Sequence, residues 1–432
     1  MSNRRIVACT VAMIVLIAAC APVFGQSGPV TLSVWMPDAS WAYNNPAWLM
    51  PEFIEWFEAN NPDIKIEMNL YSGDRLERYL TNRAAGIHMD VIWTSTNERA
   101  GLAQAGFFMP LDEFFERDPL IAANYLNPEF LKTGVFLGRQ LTMPDVLTWR
   151  AIYMSRDGFA EAGLALPSMN ANDTWTMDEF IDAARRLRRT NNEGEVTRYG
   201  FSVSPIDDRF DTWARLYGGK LYDQASQQIV ADSNEALAAF SSLRDMNIEM
   251  GVLPGDNIGS KANPAALVSG EVGMYMGPDT NAPGLYEQMG TDFTVRPLPR
   301  GPAGTTGMLG APGWHVISDT PYPEQAWRFV RDRALYYAGV RDLDNLPPAA
   351  GLEVYAAPHG GTDVYEDIYL LLRDWLTPNG FSSGEWIYIG REQVEPPVVQ
   401  AISAYVHGQE SEEAIREAVS LANRALATIL GR

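Results

Sequence analysis

Residues 90–115 begin Asp90-Val-Ile-Trp-Thr-Ser-Thr-Asn-Glu-Arg99 and run through Ala103-Gln-Ala-Gly106 to Met109-Pro-Leu-Asp-Glu-Phe-Phe115. Val91, Ile92 and Trp93 form a short apolar run of the kind that ends a buried strand. Thr94, Ser95, Thr96 and Asn97 follow at once. All four carry short hydrogen-bonding side chains, and Ser, Thr and Asn are favoured helix N-caps. A helix is therefore expected to start among them and run to Ala105, with Gly106 ending it. In an open α/β sheet, pockets lie just past the carboxyl ends of strands. Polar side chains next to Trp93 thus make this loop a candidate binding loop, although the same residues also suit an ordinary strand–cap–helix joint.

The pattern repeats on the N-terminal side. Val30–Trp35 alternates as a strand and opens into the polar, aromatic loop 36–45. Trp48, Phe53, Ile54, Trp56 and Phe57 recur at helical spacing, and Asn60-Asn-Pro-Asp63 breaks the helix. Ile64–Leu70 alternates again, and Leu76–Ala85 reads as a helix closed by Gly86. Written in order this is β-α-β-α-β-α, the signature of a parallel sheet in an α/β domain.

On the C-terminal side, Leu141–Trp149 reads as a crossing segment. Ala151–Ser155 is strand-like, Gly158–Gly163 a short helix, and Thr176 with Glu179 a capping box. Tyr199–Val203 and Val272–Met276 read as strands, Asp211–Tyr217 and Pro264–Ser269 as helices, and Asn234–Met250 as one long helix. Gly277-Pro-Asp-Thr-Asn281 again places polar residues just past a strand. Glycines 301, 304, 307, 310 and 313 recur every third residue. Without a Lys-Ser/Thr they are no phosphate loop, and they are expected to form a flexible connection ending in Trp314–Ser318. Asp363–Leu376 and Ser411–Leu430 are the longest helices expected in the remainder.

The chain has 432 residues, enough for two or three domains, and its composition is globular, with 46% hydrophobic and 20% charged residues. A formal net charge of −21 argues against a nucleic-acid partner, which calls for a basic face. Cys9 and Cys20 are the two cysteines, so the rest of the chain holds no disulfide, thiolate metal site or cysteine nucleophile. His88, His315, His359 and His407 show no metal-ligand spacing. No metal and no cofactor is expected.

Arg4, Arg5 and the apolar run Ile6–Ala19 read as an export signal, too short to span a bilayer. Leu16-Ile-Ala-Ala-Cys20 resembles a bacterial lipobox. That resemblance implies a signal over 1–19, lipid on Cys20 and a tether over 20–29. Cleavage near Gly25 is the alternative. No later segment is apolar for long enough to cross a membrane, so the body is expected to be soluble and exported, to the periplasm or the outer face of the cell membrane.

Taken together, these residues have a familiar order. They are the lipobox, Asp90-Val-Ile-Trp93 with Ala105-Gly106 and Pro110-Leu-Asp112, Thr174-Trp-x-x-Asp178-Glu-Phe180 and Tyr199-Gly-Phe201. Ser269-Gly-Glu-Val-Gly-Met274 leading into Gly277, and Gly310-x-x-Gly313-Trp314, complete the set. The chain resembles the extracellular solute-binding proteins of bacterial ABC importers, in the sugar-binding group, over nearly all of its mature length. The resemblance implies a periplasmic-binding-protein-like α/β fold with two lobes joined by crossing hinge segments. Lobe 1 is expected over 30–147 plus 312–372 and lobe 2 over 148–311 plus 373–432. Crossings are expected near Leu147–Trp149, Gly310–Gly313 and Trp375–Phe381. It further implies a monomer that captures a carbohydrate without altering it and hands it to membrane permease subunits.

Sugars present hydroxyls and flat C–H faces, so their sites need carboxylates, amides and aromatic rings. Carried over by position, the family's contacts fall on Asp38, Ser40 and Trp41, on Trp93, Thr94, Ser95 and Asn97, and on Asp145, Thr148 and Trp149. They fall also on Asp279, Asn281, Gly313, Trp314, Trp386, Tyr388 and Arg391. The group's maltose-binding protein has tryptophan where Asp279 aligns and glutamate where Thr148 aligns. This speaks against a linear maltodextrin and for a hydrogen-bonded small sugar. Trp35, Trp56, Trp175 and Trp327, set in regular elements, are expected in the core.

Two other functions fit parts of the chain. A polyol or glycerol-phosphate-type ligand suits the same fold, although Arg391 is the one basic candidate for a phosphate. A secreted carbohydrate-acting hydrolase is suggested by Gly380-Phe-Ser-Ser-Gly384, which matches G-x-S-x-G. Thr377-Pro-Asn379 before it is not the apolar strand that a nucleophile elbow requires.

Overall fold

The computed structural model describes residues 28–38, 49–95, 98–122, 131–145, 148–170, 173–310, 312–337, 363–382, 385 and 387–432. In chain order its strands are β1 (Val30–Pro37), β2 (Ile64–Tyr71), β3 (Val91–Thr94), β4 (Val135–Phe136), β5 (Arg139–Gln140), β6 (Met143–Pro144), β7 (Thr148–Ser155) and β8 (Arg189–Thr190). They continue as β9 (Val196–Val203), β10 (Tyr222–Asp223), β11 (Gln228–Ile229), β12 (Val272–Pro278), β13 (Phe293–Arg296), β14 (Gly307–Gly310), β15 (Gly313–Val316) and β16 (Gly380–Ser382).

Two large sheets result. The first has five strands in the order β2-β1-β3-β15-β6; the second has seven, in the order β16-β14-β7-β12-β9-β8 with β13 also on β7. The α/β class expected from the sequence is the one observed. β1 pairs in parallel with β2 and β3, as the β-α-β reading requires. The sheet is nevertheless mixed, because β15 runs antiparallel to β3 and β6. The reason is local. β14 ends at Gly310 in the second sheet and β15 begins at Gly313 in the first. The chain therefore enters the first sheet at the edge where β3 ends, and must run back along it.

That junction corrects the expectation of a flexible glycine connection. Gly307–Gly310 is a strand between β7 and β16, and Gly313 starts another. The glycines serve close approach. A Cβ on Gly313 would sit 2.3 Å from the Met143 carbonyl oxygen, and one on Gly307 2.2 Å from the Leu376 side chain.

Helices follow the pattern with differences at their ends. The capping box is present, with Glu179 N donating to Thr176 Oγ1 at 3.3 Å and Thr176 N donating to Glu179 at 2.7 Å. The helix after β3 is shorter than expected, Arg99–Gln104, and Glu98 precedes it without a side-chain cap; Thr96 and Asn97 lie outside the described residues. Asp207–Leu216 starts four residues before the expected Asp211. The long helix after Ser233 is α-helical over Asn234–Arg244 and widens to a π-helical turn over Asp245–Glu249. Among the described residues no helix is long and apolar enough to cross a membrane.

A large cluster of buried side chains runs from one sheet to the other. It holds Val34, Val91, Trp93 and Trp314 from the first, and Trp149, Tyr153, Tyr275 and Phe293 from the second. A second cluster, with Phe180, Phe201, Trp213 and Phe240, lies on the far face of the second sheet. Trp175 and Trp327 are buried as expected; Trp35 and Trp56 are partly exposed at the core margin.

Candidate functional site

β7 runs antiparallel to β12, with Arg150 opposite Pro278, and β12 runs parallel to β9. The start of β7, the ends of β12 and β14, and the loop after β9 therefore share one edge of the second sheet. On the first sheet, Gly313 lies opposite both Thr94 and Pro144, so the ends of β3 and β6 meet the start of β15. Asp145 on the first sheet's side lies three residues before Thr148 of β7, and Gly310 of β14 lies three residues before Gly313 of β15. The candidate loops are thereby gathered where the chain passes between sheets.

Asp145 lies on the first crossing and is fully buried. Its Oδ2 accepts from Trp314 Nε1 at 2.7 Å and is 3.6 Å from Arg333 Nε, itself fully buried on the helix Pro323–Tyr337. Burial raises the Asp145 carboxyl above its ordinary range; Arg333 and the indoles of Trp314 and Trp93 partly offset this. Among the described residues, Asp145 Oδ1 and Trp149 Nε1, an acceptor and a donor at either end of the crossing, are buried and have no hydrogen-bond partner. Buried polar atoms are nearly always satisfied, so such a pair calls for a further partner, an ordered water or a polar ligand group.

Trp149 and Asp279 hold each other. Asp279 N donates to Trp149 O at 3.2 Å, and Trp149 N donates to Asp279 Oδ1 at 3.3 Å. Burial pushes the Asp279 carboxyl up to about 6, against the opposing charge of Arg150, whose Nη1 is 3.9 Å away. Arg150 Nε donates to Asp208 Oδ2 at 2.8 Å, and Arg209 also pairs with Asp208. Although burial opposes it, Arg209 and Arg150 hold the Asp208 carboxyl well below the usual range.

Beneath this edge the rings stack. Trp149 and Tyr153 are 6.2 Å apart at 13°, and Tyr153 and Tyr275 are 5.0 Å apart at 12°. Tyr153 OH donates to Pro278 O at 2.7 Å and Asn281 Nδ2 donates to Tyr275 OH at 3.1 Å. Gly277 is required here, since a Cβ would lie 2.5 Å from the Tyr275 ring. Tyr337 ends the Arg333 helix and is half-buried there. The Arg333 guanidinium lies 5.1 Å from the centroid of its ring, and burial raises its hydroxyl.

The other candidates are placed as follows. Thr94 is fully buried, with Oγ1 2.7 Å from His315 Nε2. Burial, with Arg99 nearby, holds His315 well below its usual value, so it is neutral; its Nδ1–H donates to Leu141 O at 2.7 Å, leaving Nε2 to accept from Thr94. Trp93 is buried beside Asp145, and Ser95 Oγ donates to Glu98 Oε2 at 2.6 Å. Asp38 is exposed just past β1, and Thr148 lies opposite Gly310.

Tyr388 stacks on Tyr222 at 3.8 Å and lines a separate cavity of about 370 Å³ with Val135–Gly138. Arg391 pairs with Asp207 and, at 2.9 Å, with Glu395, beside a recess of about 630 Å³ on the second sheet's side. Burial pushes the Glu395 carboxyl up to about 8 despite Arg391. The structure thus brings together Trp93, Asp145, Trp149, Asp279, Asn281, Gly313 and Trp314, and places Tyr388 apart. Ser40, Trp41, Asn97, Trp386 and the signal and lipidation segment with Cys20 lie outside the described residues.

Arg150, Tyr153, Asp208, Tyr275, Arg333 and Tyr337 were not among the candidates. Arg333 and Tyr337 share a helix face by their spacing of four, but nothing local marks that face as pointing at the crossing. Among the described residues no group of three or more His, Cys, Asp or Glu side chains is disposed to hold a metal.

Residues 42–331 match the family model described as bacterial extracellular solute-binding protein. A putative binding protein of Brucella abortus is 24% identical over 288 residues, 63% of this chain and 65% of that one. This chain therefore matches somewhat under two thirds of that relative's length. Two solved structures share the fold. An ABC substrate-binding protein of Listeria monocytogenes in complex with cycloalternan has a TM-score of 0.72 at 18% identity, covering 93% of this chain and 99% of that one. The sugar-binding protein MalE of Xanthomonas citri has a TM-score of 0.73 at 16% identity, covering 92% and 98%.

Proposed function

Since the chain belongs to the bacterial extracellular solute-binding protein family, we propose that it is the substrate-binding component of an ABC importer and captures a neutral carbohydrate between two lobes. The lobes proposed are those expected from the sequence, 30–147 plus 312–372 and 148–311 plus 373–432, except that Asp363–Leu370 sits on the second sheet, where Asp367 pairs with Arg156 and Arg296. The observation that carries this reading is the unsatisfied pair on the crossing, Asp145 Oδ1 and Trp149 Nε1. A sugar hydroxyl both donates and accepts, and so complements a buried acceptor and a buried donor at once. The Trp149–Tyr153–Tyr275 stack, itself buried, backs the crossing with an apolar base.

The ligand is held, not altered. The open form takes the sugar on one lobe, the second lobe closes over it, and a membrane permease pair receives the closed form. A ligand drives that closure only by binding the closed form better. Export and attachment through lipid on Cys20 belong to the same proposal.

A thermal-shift screen against neutral sugars, polyols and sugar phosphates tests it. A ligand present at about 100 times its Kd adds about 2.7 kcal/mol to the folded state, a shift of several degrees. Stabilisation by neutral sugars is the expected result. Stabilisation by phosphorylated ligands alone would replace the neutral sugar with a glycerol-phosphate-type ligand, and turnover of a glycoside would replace binding with hydrolysis.

A further inference from the structure

The turn before the helix Arg391–Val406 reaches out of its own half of the molecule. Val394, Val398 and Ile402 of that helix pack in the cluster of Phe201 and Phe240, on the second sheet. Ile387 instead packs with Tyr79, Ile92, Ala100 and Leu102, on the first. Five residues on, the Glu392 carboxylate lies against the helix Arg99–Gln104, where Oε1 is 3.6 Å from the position of a Gly101 Cβ. Leu76 closes the other side of Gly101 at 3.2 Å. Glu392 Oε1 is buried, and among the described residues its polar neighbour on the first half is the Gly101 backbone N–H.

The charges around it are committed elsewhere. On the first half, Glu98 accepts from Ser95, and Arg99 Nη1 donates to Thr133 O at 2.9 Å. On the second, Arg391 pairs with Asp207 and Glu395. Glu392 therefore brings a carboxylate into a partly buried contact that faces a second carboxylate, Glu98, and gains no dedicated counter-ion there. Burial raises its carboxyl; Arg391 and the backbone of Gly101 oppose the rise, and Glu98 adds to it.

We propose that the mutual position of the two halves is proton-linked through Glu392, so that acid favours the arrangement in which this helix start rests on Gly101. This rests on the two-lobe reading but not on the identity of the sugar. A group that takes up a proton more readily in one arrangement must, by linkage, favour that arrangement as pH falls. Neutral Glu392 removes the repulsion with Glu98 and lowers the cost of burying the carboxyl, while the Ile387 contact is unchanged.

Spin labels at Asn60→Cys and Glu193→Cys, exposed positions on the two halves, test it by pulsed electron resonance in the full chain carrying Cys9→Ser and Cys20→Ser. The wild-type distance distribution is expected to move towards the arrangement described here as pH is lowered from about 8 to about 5. Glu392→Gln is expected to hold the low-pH distribution throughout, and Glu98→Gln to shrink the shift. A wild-type distribution unmoved by pH, or a Glu392→Gln variant that shifts as the wild type does, overturns the inference. A sugar screen without hits, beside an intact pH shift that Glu392→Gln abolishes, contradicts the proposed ligand and leaves the linkage standing.

Discussion

The Trp314 indole N–H donates to the Asp145 carboxylate at 2.7 Å, so the second residue of β15 is tied to the segment that leaves β6 for β7. Two passages between the sheets, far apart in sequence, are thus fastened to each other. Arg333, fully buried, adds the charge that makes a carboxylate tolerable there.

Asp145→Ala would leave Arg333 buried beside a missing carboxylate. Removing one partner of a buried pair costs about 3–5 kcal/mol, because the remaining charge stays uncompensated. Asp145→Asn keeps the shape and an acceptor for Trp314, and a smaller loss is expected. Urea unfolding of both variants checks this; equal and negligible losses would show that the pair does not hold the crossing together.

Asp279 carries a pH signature. Burial pushes its native carboxyl up to about 6, whereas in the unfolded chain it titrates near about 3.9. Between these values the native state binds the extra proton. The contribution of Asp279 to stability is therefore greatest below about pH 4 and falls as pH rises to about 6. Asp279→Asn has no such proton, so relative to wild type it gains about 2 kcal/mol between pH 4 and pH 7. Unfolding curves of both proteins at the two pH values measure the difference, and parallel pH profiles would contradict the raised carboxyl.

Asp208 behaves oppositely. Arg209 and Arg150 hold its native carboxyl below the unfolded value, so its stabilisation is complete above about pH 4 and is lost as pH falls further. Asp208→Asn is expected to destabilise at neutral pH and to converge on wild type in strong acid. A loss of stability that is the same at pH 7 and pH 2 would assign the residue a packing role instead.

Gly277→Ala places a methyl 2.5 Å from the Tyr275 ring and 3.0 Å from Tyr153. The stack must shift, at a cost of about 1–3 kcal/mol for overpacking. Unfolding free energy and near-ultraviolet circular dichroism, which reports aromatic packing, are expected to change together.

Local patterns were the legible part of the fold. Val30–Trp35 and Ile64–Leu70 show strand alternation, Tyr199–Val203 reads as a strand, and Thr176 with Glu179 declares a helix start unaided. Asp145, Trp149 and Asp279 were recognisable as polar or aromatic residues beside strand ends. Long-range arrangements left no such mark. The glycines over 301–313 read as flexible, whereas Gly301, Gly307 and Gly313 permit close approach to Leu216, Leu376 and Met143, all distant in sequence. Arg333 and Tyr337 look like any helix surface until the crossing is folded against them. Helical spacing also did not separate Asn234–Arg244 from the wider turn at Asp245–Glu249.

The crystal structure of the protein with a sugar taken from the thermal screen tests the central claim most directly. The account predicts sugar hydroxyls within about 3 Å of Asp145 Oδ1 and Trp149 Nε1, the usual hydrogen-bond distance, with both sheet edges in contact with the ligand. A sugar seated elsewhere, such as the cavity between Val135–Gly138 and Tyr222, and touching neither crossing, would contradict it.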